Sequence, residues 1–152
     1  MKYKNKFSII TVCFNAQNTI QRCINSILTQ SYSEIELIII DGMSTDSTIQ
    51  LIQEFESSKI KIISEKDEGI YNAMNKGLKY ASGDIIAFLN ADDFYYKDDV
   101  IENINSYFIN DIKIVYGNIV YYNNLVKKLS GRVFNPGEYK ENMYLKGWHA
   151  PH

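Results

Sequence analysis

The feature that most constrains this chain is a pair of almost unbroken apolar runs, Phe7 to Cys13 (FSIITVC) and Ile35 to Ile40 (IELIII). Both are rich in β-branched residues, and neither shows the in-out alternation of a sheet with one wet face. Such runs belong to strands covered on both faces, as in parallel sheets. Between them Ile20, Cys23, Ile24, Ile27 and Leu28 recur at helical spacing, with Asn18 and Gln21 placed for a capping box. The alternation continues. Asp46 is positioned to cap a helix carrying Ile49, Ile52 and Phe55, and Ile60 to Ile63 reads as a third strand. Ile70, Ala73, Met74, Gly77, Leu78 and Ala81 predict a helix stopped at Gly83, and Ile85 to Leu89 a fourth strand. Val100, Ile101, Ile104 and Phe108 mark one more helix. Lys113 to Tyr122 then reads as a long strand, returning as Leu125 to Leu129 through a turn at Asn123-Asn124. Strands alternating with helices imply right-handed βαβ units, hence an α/β, Rossmann-like fold whose mainly parallel sheet carries an antiparallel hairpin near the C-terminus.

In such sheets ligands gather outside the carboxyl ends of the strands. Four places qualify: Cys13-Phe14-Asn15, Asp41-Gly42, the loop Glu65 to Gly69, and Asn90 to Asp93. Asp41 comes too early to cap the next helix, and a carboxylate there can accept bonds from a ribose hydroxyl or a base N–H. In FLNADDF (88–94) a buried strand ends on an amide and two adjacent carboxylates, Asp92 and Asp93. Two neighbouring acids repel unless solvated or bridged by a cation. Magnesium takes one or two protein carboxylates and completes its shell with water and phosphate oxygens.

Composition and missing motifs narrow the class. A net charge of −2 over 152 residues lacks the basic footprint of a nucleic-acid binder. No apolar run approaches the roughly 20 residues of a membrane helix, and the N-terminal MKYKNKFSIITVCF lacks a signal-peptide cleavage site. Cys13 and Cys23 form neither a metal spacing nor a disulfide framework and read as buried thiols. No GxxxxGK[ST] or GxGxxG follows any strand, which sets aside P-loop and nicotinamide enzymes. A receiver domain would need its acidic pair after the first strand, where Cys13-Phe14-Asn15 stands. A nucleotidyltransferase would need a glycine-rich first loop, where FNAQNT stands. With no backbone cradle for phosphates, a metal-held diphosphate beside an aromatic base platform describes a nucleotide-sugar site.

SIITVCFNAQNTIQRCINSILTQSYSEIELIIIDGMSTDST, followed by DEGIYNAMNKGLKYASGDIIAFLNADD, resembles the family-two glycosyltransferases of the GT-A fold, from about residue 7 to 118. The resemblance implies transfer of a sugar from a nucleoside diphosphate, UDP by family habit, to an acceptor hydroxyl, with inversion and with Mg2+ or Mn2+. It implies that Phe14 and Asn15 border the base, that Val12 gives backbone contacts, and that Asp41 bonds base or ribose with Ser44 beside it. Asp67, Gly69 and Asn75 match the segment flanking uridine and diphosphate. Asn90-Ala91-Asp92 occupies the Asp-Xaa-Asp motif, with Asp92 or Asp93 on the metal. Asn90 in place of the first acid removes one charge and keeps an acceptor oxygen, so weaker binding is expected.

The expected organisation is one nucleotide-sugar-binding domain over 1–152, with a core at about 7–118, a hairpin at 113–130 and the start of an acceptor-side segment at 131–152. The family's general base falls further downstream, and the chain is expected to stop before it. His149 and His152, in GWHAPH, are weaker catalytic candidates. The expected acceptor is a saccharide or lipid-linked saccharide of bacterial cell-surface polysaccharide synthesis. A cytoplasmic protein at the inner face of the membrane, peripherally associated with it, fits that role. The alternative is a nucleotide-sugar-binding domain without turnover. The tyrosines Tyr71, Tyr95, Tyr96, Tyr121 and Tyr122 are read by default as packing residues.

Overall fold

In the computed structural model, which describes residues 4–109, 111–123, 126–143 and 145, strand β1 (Phe7–Cys13) is buried along its whole length. It is flanked by β2 (Ile35–Asp41) and β4 (Ile85–Phe88), with β3 (Ile60–Ser64) beyond β2. All the pairings are parallel, in the order β3-β2-β1-β4. The direction of winding reverses between β1 and β4, which makes the crevice there the switch point of the sheet.

Alternating side chains of β1 serve two layers. Ile10 and Val12 join Ile38, Ile40 and Ala73 in one core cluster under α3 (Ile70–Tyr80). On the other side Thr11 meets Cys23 of α1 (Ile20–Leu28), whose Ile20, Cys23, Ile24 and Ile27 are buried. α3 lies unusually close to the sheet. A Cβ on Gly77 would stand 2.4 Å from Ile10 Cγ2, so glycine is the residue that lets the helix settle there. Helix α2 (Thr48–Gln53) packs beside α1, and α4 (Val100–Tyr107) buries Ile101 and Asn105. No helix among the described residues is long and apolar enough to cross a membrane.

The chain divides into two compact units, Met1–Tyr107 and Phe108–His152. The second contains the antiparallel pair β5 (Ile119–Asn123) and β6 (Lys128–Phe134).

Several elements differ from expectation. The long strand expected from Lys113 begins only at Ile119, after Gly117-Asn118, a pair that weakens extended structure. Its partner starts later than Leu125 and runs to Phe134. Of the expected turn, Asn123 accepts the Val126 N–H at 3.3 Å, while Asn124 lies outside the described residues. The capping box of α1 does not form: the Ala16 carbonyl takes the Thr19 and Ile20 amides, and Gln21 bonds Glu54. β3 is an edge strand with Ile62 38% exposed, and Ile70 and Leu78 of α3 face outward.

At the amino end of the sheet Glu36 ties three segments together. Lys6 Nζ donates to it at 2.6 Å, the Ser82 amide at 2.7 Å and the Ser82 hydroxyl at 2.8 Å, with the Ser8 hydroxyl a fourth donor. Burial alone would raise its pKa, but these donors outweigh it and hold the carboxyl at about 2, against an ordinary 4.5. A depressed carboxyl stabilises the fold above its ordinary pKa, and that contribution disappears as pH falls from about 4.5 towards 2. Glu36→Gln should therefore lower stability at neutral pH, by up to roughly 3 kcal/mol. The gap from wild type should narrow below pH 4.5 and close only as pH falls towards about 2, by the same linkage. Thermal melts across pH check this, and a gap independent of pH would contradict it.

Candidate functional site

The loops after β1, β2 and β3 converge because their strands end side by side, Cys13 level with Asp41 and Asp41 level with Ser64. The first two loops are laced together by hydrogen bonds. The Asn15 amide donates to Ser44 Oγ at 2.8 Å, and Asn15 Oδ1 accepts the Thr45 amide at 2.9 Å. The Ala16 amide donates to Thr48 Oγ1 at 2.8 Å, the Gln17 amide to Asp46 at 3.1 Å, and Gln17 Oε1 accepts the Ser47 amide at 3.1 Å. Asn15 has φ 50°, a left-handed conformation that asparagine tolerates better than most residues. Asp46 also accepts the Thr48 amide at 3.0 Å, close to its expected capping role.

Asp41 stands at the end of β2, as expected, but is fully enclosed. Its carboxylate accepts the Ser44 amide at 3.1 Å and the Ser64 hydroxyl at 2.6 Å, and the Ser44 hydroxyl donates to its other oxygen. Ser44 thus joins Asn15 to Asp41, and Asp41 joins that pair to Ser64, so one buried charge organises three strand ends. Burial, and next the charge of Asp41, push the neighbouring Cys13 thiol far above its usual range. Among the described residues, then, Asp41 and Asn15 shape the site from within.

A pocket of about 460 Å³ opens above this floor, lined among the described residues by Phe14, Gly42, Met43, Lys66 and Asp67. That size suits a small-molecule ligand. Phe14 is 63% exposed and Met43 55%, an apolar wall with no packing reason to face water. A Cβ on Gly42 would come 2.6 Å from Asp67 Oδ2, so glycine there admits the carboxylate to the pocket. Asp67 Oδ1 accepts the Gly69 amide at 2.9 Å. Lys76 secures this loop from α3, bonding the Lys66 carbonyl at 2.6 Å and Glu65 at 3.0 Å. Asn75 lies on the exposed face of α3, outside the pocket lining, and Val12 is buried beneath the site.

The acidic loop occupies the other side of β1. β4 pairs only as far as Ile10, three residues short of the end of β1, and the chain then turns over α1. A polar row on α1 receives it. Cys23 Sγ approaches the Asn90 carbonyl at 3.5 Å and Arg22 Nη2 donates to the Asp92 carbonyl at 3.1 Å. Further along, Ser26 Oγ accepts the Tyr95 amide at 3.1 Å. Gln30 donates to the Lys97 carbonyl at 2.6 Å and accepts the Ile101 amide at 3.0 Å. Burial pushes the Cys23 thiol up to about 12, with the Thr11 hydroxyl opposing and the charges of Asp93 and Asp92 adding. Asp92 and Asp93 are exposed, and no three acidic, histidine or cysteine side chains converge on one point among the described residues. The donor set is a pair of hard carboxylates with the Asn90 amide nearby, which suits Mg2+ or Mn2+ sharing its shell with water and phosphate. The packing expectation for the tyrosines does not hold for Tyr71 (78% exposed), Tyr96 (55%) or Tyr121 (43%). His149 and His152 lie outside the described residues.

Arg22, Ser26, Gln30 and Lys76 do not stand out in the sequence. The one available signal was polar: Ser26 lies one turn beyond Arg22 on a helix whose other face is apolar, with Gln30 two residues past the helix end.

Comparison with known proteins adds a lineage to this geometry. The family described as "Glycosyl transferase family 2" matches residues 8–152. The Escherichia coli UDP-Glc:alpha-D-GlcNAc-diphosphoundecaprenol beta-1,3-glucosyltransferase WfgD is 37% identical over 140 residues, 91% of this chain and 54% of that protein. A Mycobacterium bovis PGL/p-HBAD biosynthesis glycosyltransferase is 33% identical over 120 residues, 75% of this chain and 46% of that protein. The chain therefore spans about half the length of these relatives. The structure of Staphylococcus aureus TarS 1–349 in complex with UDP-GlcNAc aligns with TM-score 0.62 at 26% identity, covering 66% of this chain and 30% of that one. The Pyrobaculum calidifontis mannosyltransferase PcManGT, in complex with GDP-Man and Mn2+, aligns with TM-score 0.68 at 21% identity, over 76% of this chain and 35% of that one, a likeness of fold.

Removing the Asp41 carboxylate should unlace the three strand ends. Asp41→Ala is expected to lose roughly 2–4 kcal/mol, whereas Ser64→Ala, losing one of several bonds, should lose about 1. Denaturant titration checks the order, and equal small losses would mean that Asp41 is an ordinary turn residue.

Proposed function

The chain belongs to glycosyl transferase family 2, and from that premise we propose that it carries the donor half of a divalent-metal-dependent transferase that takes its sugar from a nucleoside diphosphate. The observation that carries this reading is the placement of two unlike features on either side of β1. A pocket with an exposed aromatic wall lies over the ends of β1, β2 and β3, and an exposed pair of carboxylates follows β4. At about 4.8 Å per strand, β2 and β4 stand roughly 10 Å apart across β1, the scale on which a nucleoside leads to its diphosphate.

In this reading the base lies against Phe14 and Met43, with Asp67 accepting from base or ribose through the opening at Gly42. Asn15, Ser44 and Asp41 hold the pocket floor rigid, so little ordering is lost on binding. Asn75 and Gly69 border the path of the diphosphate, as the family resemblance implies. Asp92 and Asp93, with the Asn90 amide, would hold Mg2+ or Mn2+, which when bound offsets the charge growing on the departing diphosphate. The acceptor hydroxyl attacks the anomeric carbon from the opposite side, with inversion. UDP is the favoured nucleotide: TarS and the Mycobacterium tuberculosis glucosyl-3-phosphoglycerate synthase, each 26% identical to this chain over the aligned part, are known in complex with UDP-GlcNAc and with UDP and Mn2+. WfgD is named for transfer to a lipid-linked sugar, which supports a saccharide or lipid-linked saccharide acceptor at the inner face of a membrane in cell-surface glycan synthesis.

UDP affinity should depend on a divalent ion, since the described loops offer no glycine-rich phosphate cradle. Calorimetry of UDP with Mn2+ and with chelator is expected to show at least a tenfold loss in chelator, about 1.4 kcal/mol. Asp92→Asn combined with Asp93→Asn should show the same weak affinity in both conditions. Equal affinity of the wild type with and without metal would contradict the assignment.

A further inference from the structure

We propose that Arg22 is the positioning residue of the acidic loop, an inference that rests on reading Asp92 and Asp93 as ligands of the divalent ion. Two contacts carry it. The guanidinium donates through Nη2 to the Asp92 carbonyl at 3.1 Å, and its Cζ lies over the Phe94 ring, 4.5 Å from the ring centre. Asp93 lies between these two held residues, and its amide closes a turn on the Asn90 carbonyl at 3.0 Å. The segment bearing both carboxylates is therefore pinned at either end by one side chain. That side chain stands on α1, whose buried face is locked against β1.

A planar guanidinium suits this task. It donates in its own plane while stacking by its face, which an ammonium cannot do. Its charge has a second consequence, because a cation beside two adjacent carboxylates relieves their repulsion while no metal is present. The two roles predict opposite outcomes once metal arrives. A charge acting alone would oppose a divalent ion, so removing it would tighten metal binding. An anchor presents the carboxylates in a fixed direction, so removing it weakens metal binding. Two directional contacts, one to the Asp92 carbonyl and one to the Phe94 ring, make anchoring the expected outcome.

The test compares wild type, Arg22→Met and Arg22→Lys in two measurements. In calorimetry of UDP with Mn2+ at physiological salt, Arg22→Met should bind roughly tenfold more weakly, the combined scale of one hydrogen bond and one cation–aromatic contact. Arg22→Lys, which keeps charge and donor but not the stack, should fall between. Affinity for UDP in chelator should not change. In hydrogen exchange without metal, the Asp93 amide should exchange faster in Arg22→Met while the amides of β1 keep their protection. Unchanged or tighter Mn2+-dependent affinity would overturn the proposal, and so would loss of protection throughout β1, which would mark Arg22 as a general stabiliser. If the wild type itself showed no metal dependence, the metal reading would be what fails. Exchange at Asp93 would then decide the role of Arg22 alone: faster in Arg22→Met sustains it, unchanged removes it.

Discussion

The complete burial of β1 is the constraint on which the rest of the first unit depends. Each of its seven residues is covered, by β2 and β4 at its edges and by helices above and below. A strand in that position can carry no chemistry along its length, because an unpaired polar group there would cost more than it could return. Its two polar side chains, Ser8 and Thr11, are both engaged, by Glu36 and Cys23. Functional groups are thereby displaced to the carboxyl end, where the backbone leaves the sheet and the neighbouring strands end at unequal heights. β2 ends level with β1, while β4 ends three residues earlier. The inequality leaves a pocket on one side of Phe14 and a bent acidic loop on the other.

Rigidity on the two sides is achieved differently. On the pocket side one buried carboxylate, Asp41, gathers the donors of Ser44 and Ser64, and through Ser44 it reaches Asn15. On the acidic side the loop has no buried charge of its own and borrows order from Arg22 and Ser26 of α1 and from Gln30 just past its end. A buried hub of the first kind resists deformation, because each lost bond leaves an enclosed polar atom. The exposed Arg22 contact of the second yields more readily. In the proposed reading this loop admits a hydrated cation and a diphosphate, which the softer arrangement serves better.

How much of this could be read from the sequence follows from the range of the forces involved. Burial acts on every residue of a covered strand, so β1, β2 and the inward stripe of α1 were legible from FSIITVC, IELIII and the spacing of Ile20, Cys23, Ile24 and Ile27. The edge strands and the hairpin were less so, because half-covered strands obey packing less strictly and Gly117 delays the start of β5. The placement of Asp41, Asp92 and Asp93 at strand ends was legible from the fold rule. That Asp41 would be enclosed was not, since Ser64 lies 23 residues away and nothing local links the two. Arg22 was hidden for the same reason, its partner in the acidic loop standing 70 residues further along the chain.

The central claim is spatial: a divalent ion sits at the Asp92-Asp93 loop while the nucleotide reaches across β1 to the pocket beneath Phe14. Paramagnetic broadening of the amide spectrum by substoichiometric Mn2+ in the presence of UDP tests it directly. The account predicts that the signals of residues 90–94 broaden first, followed by those of Phe14, Asn15 and Arg22, with β3 and the amino ends of the strands last. Broadening centred elsewhere, or spread evenly over the exposed acidic residues, would contradict it.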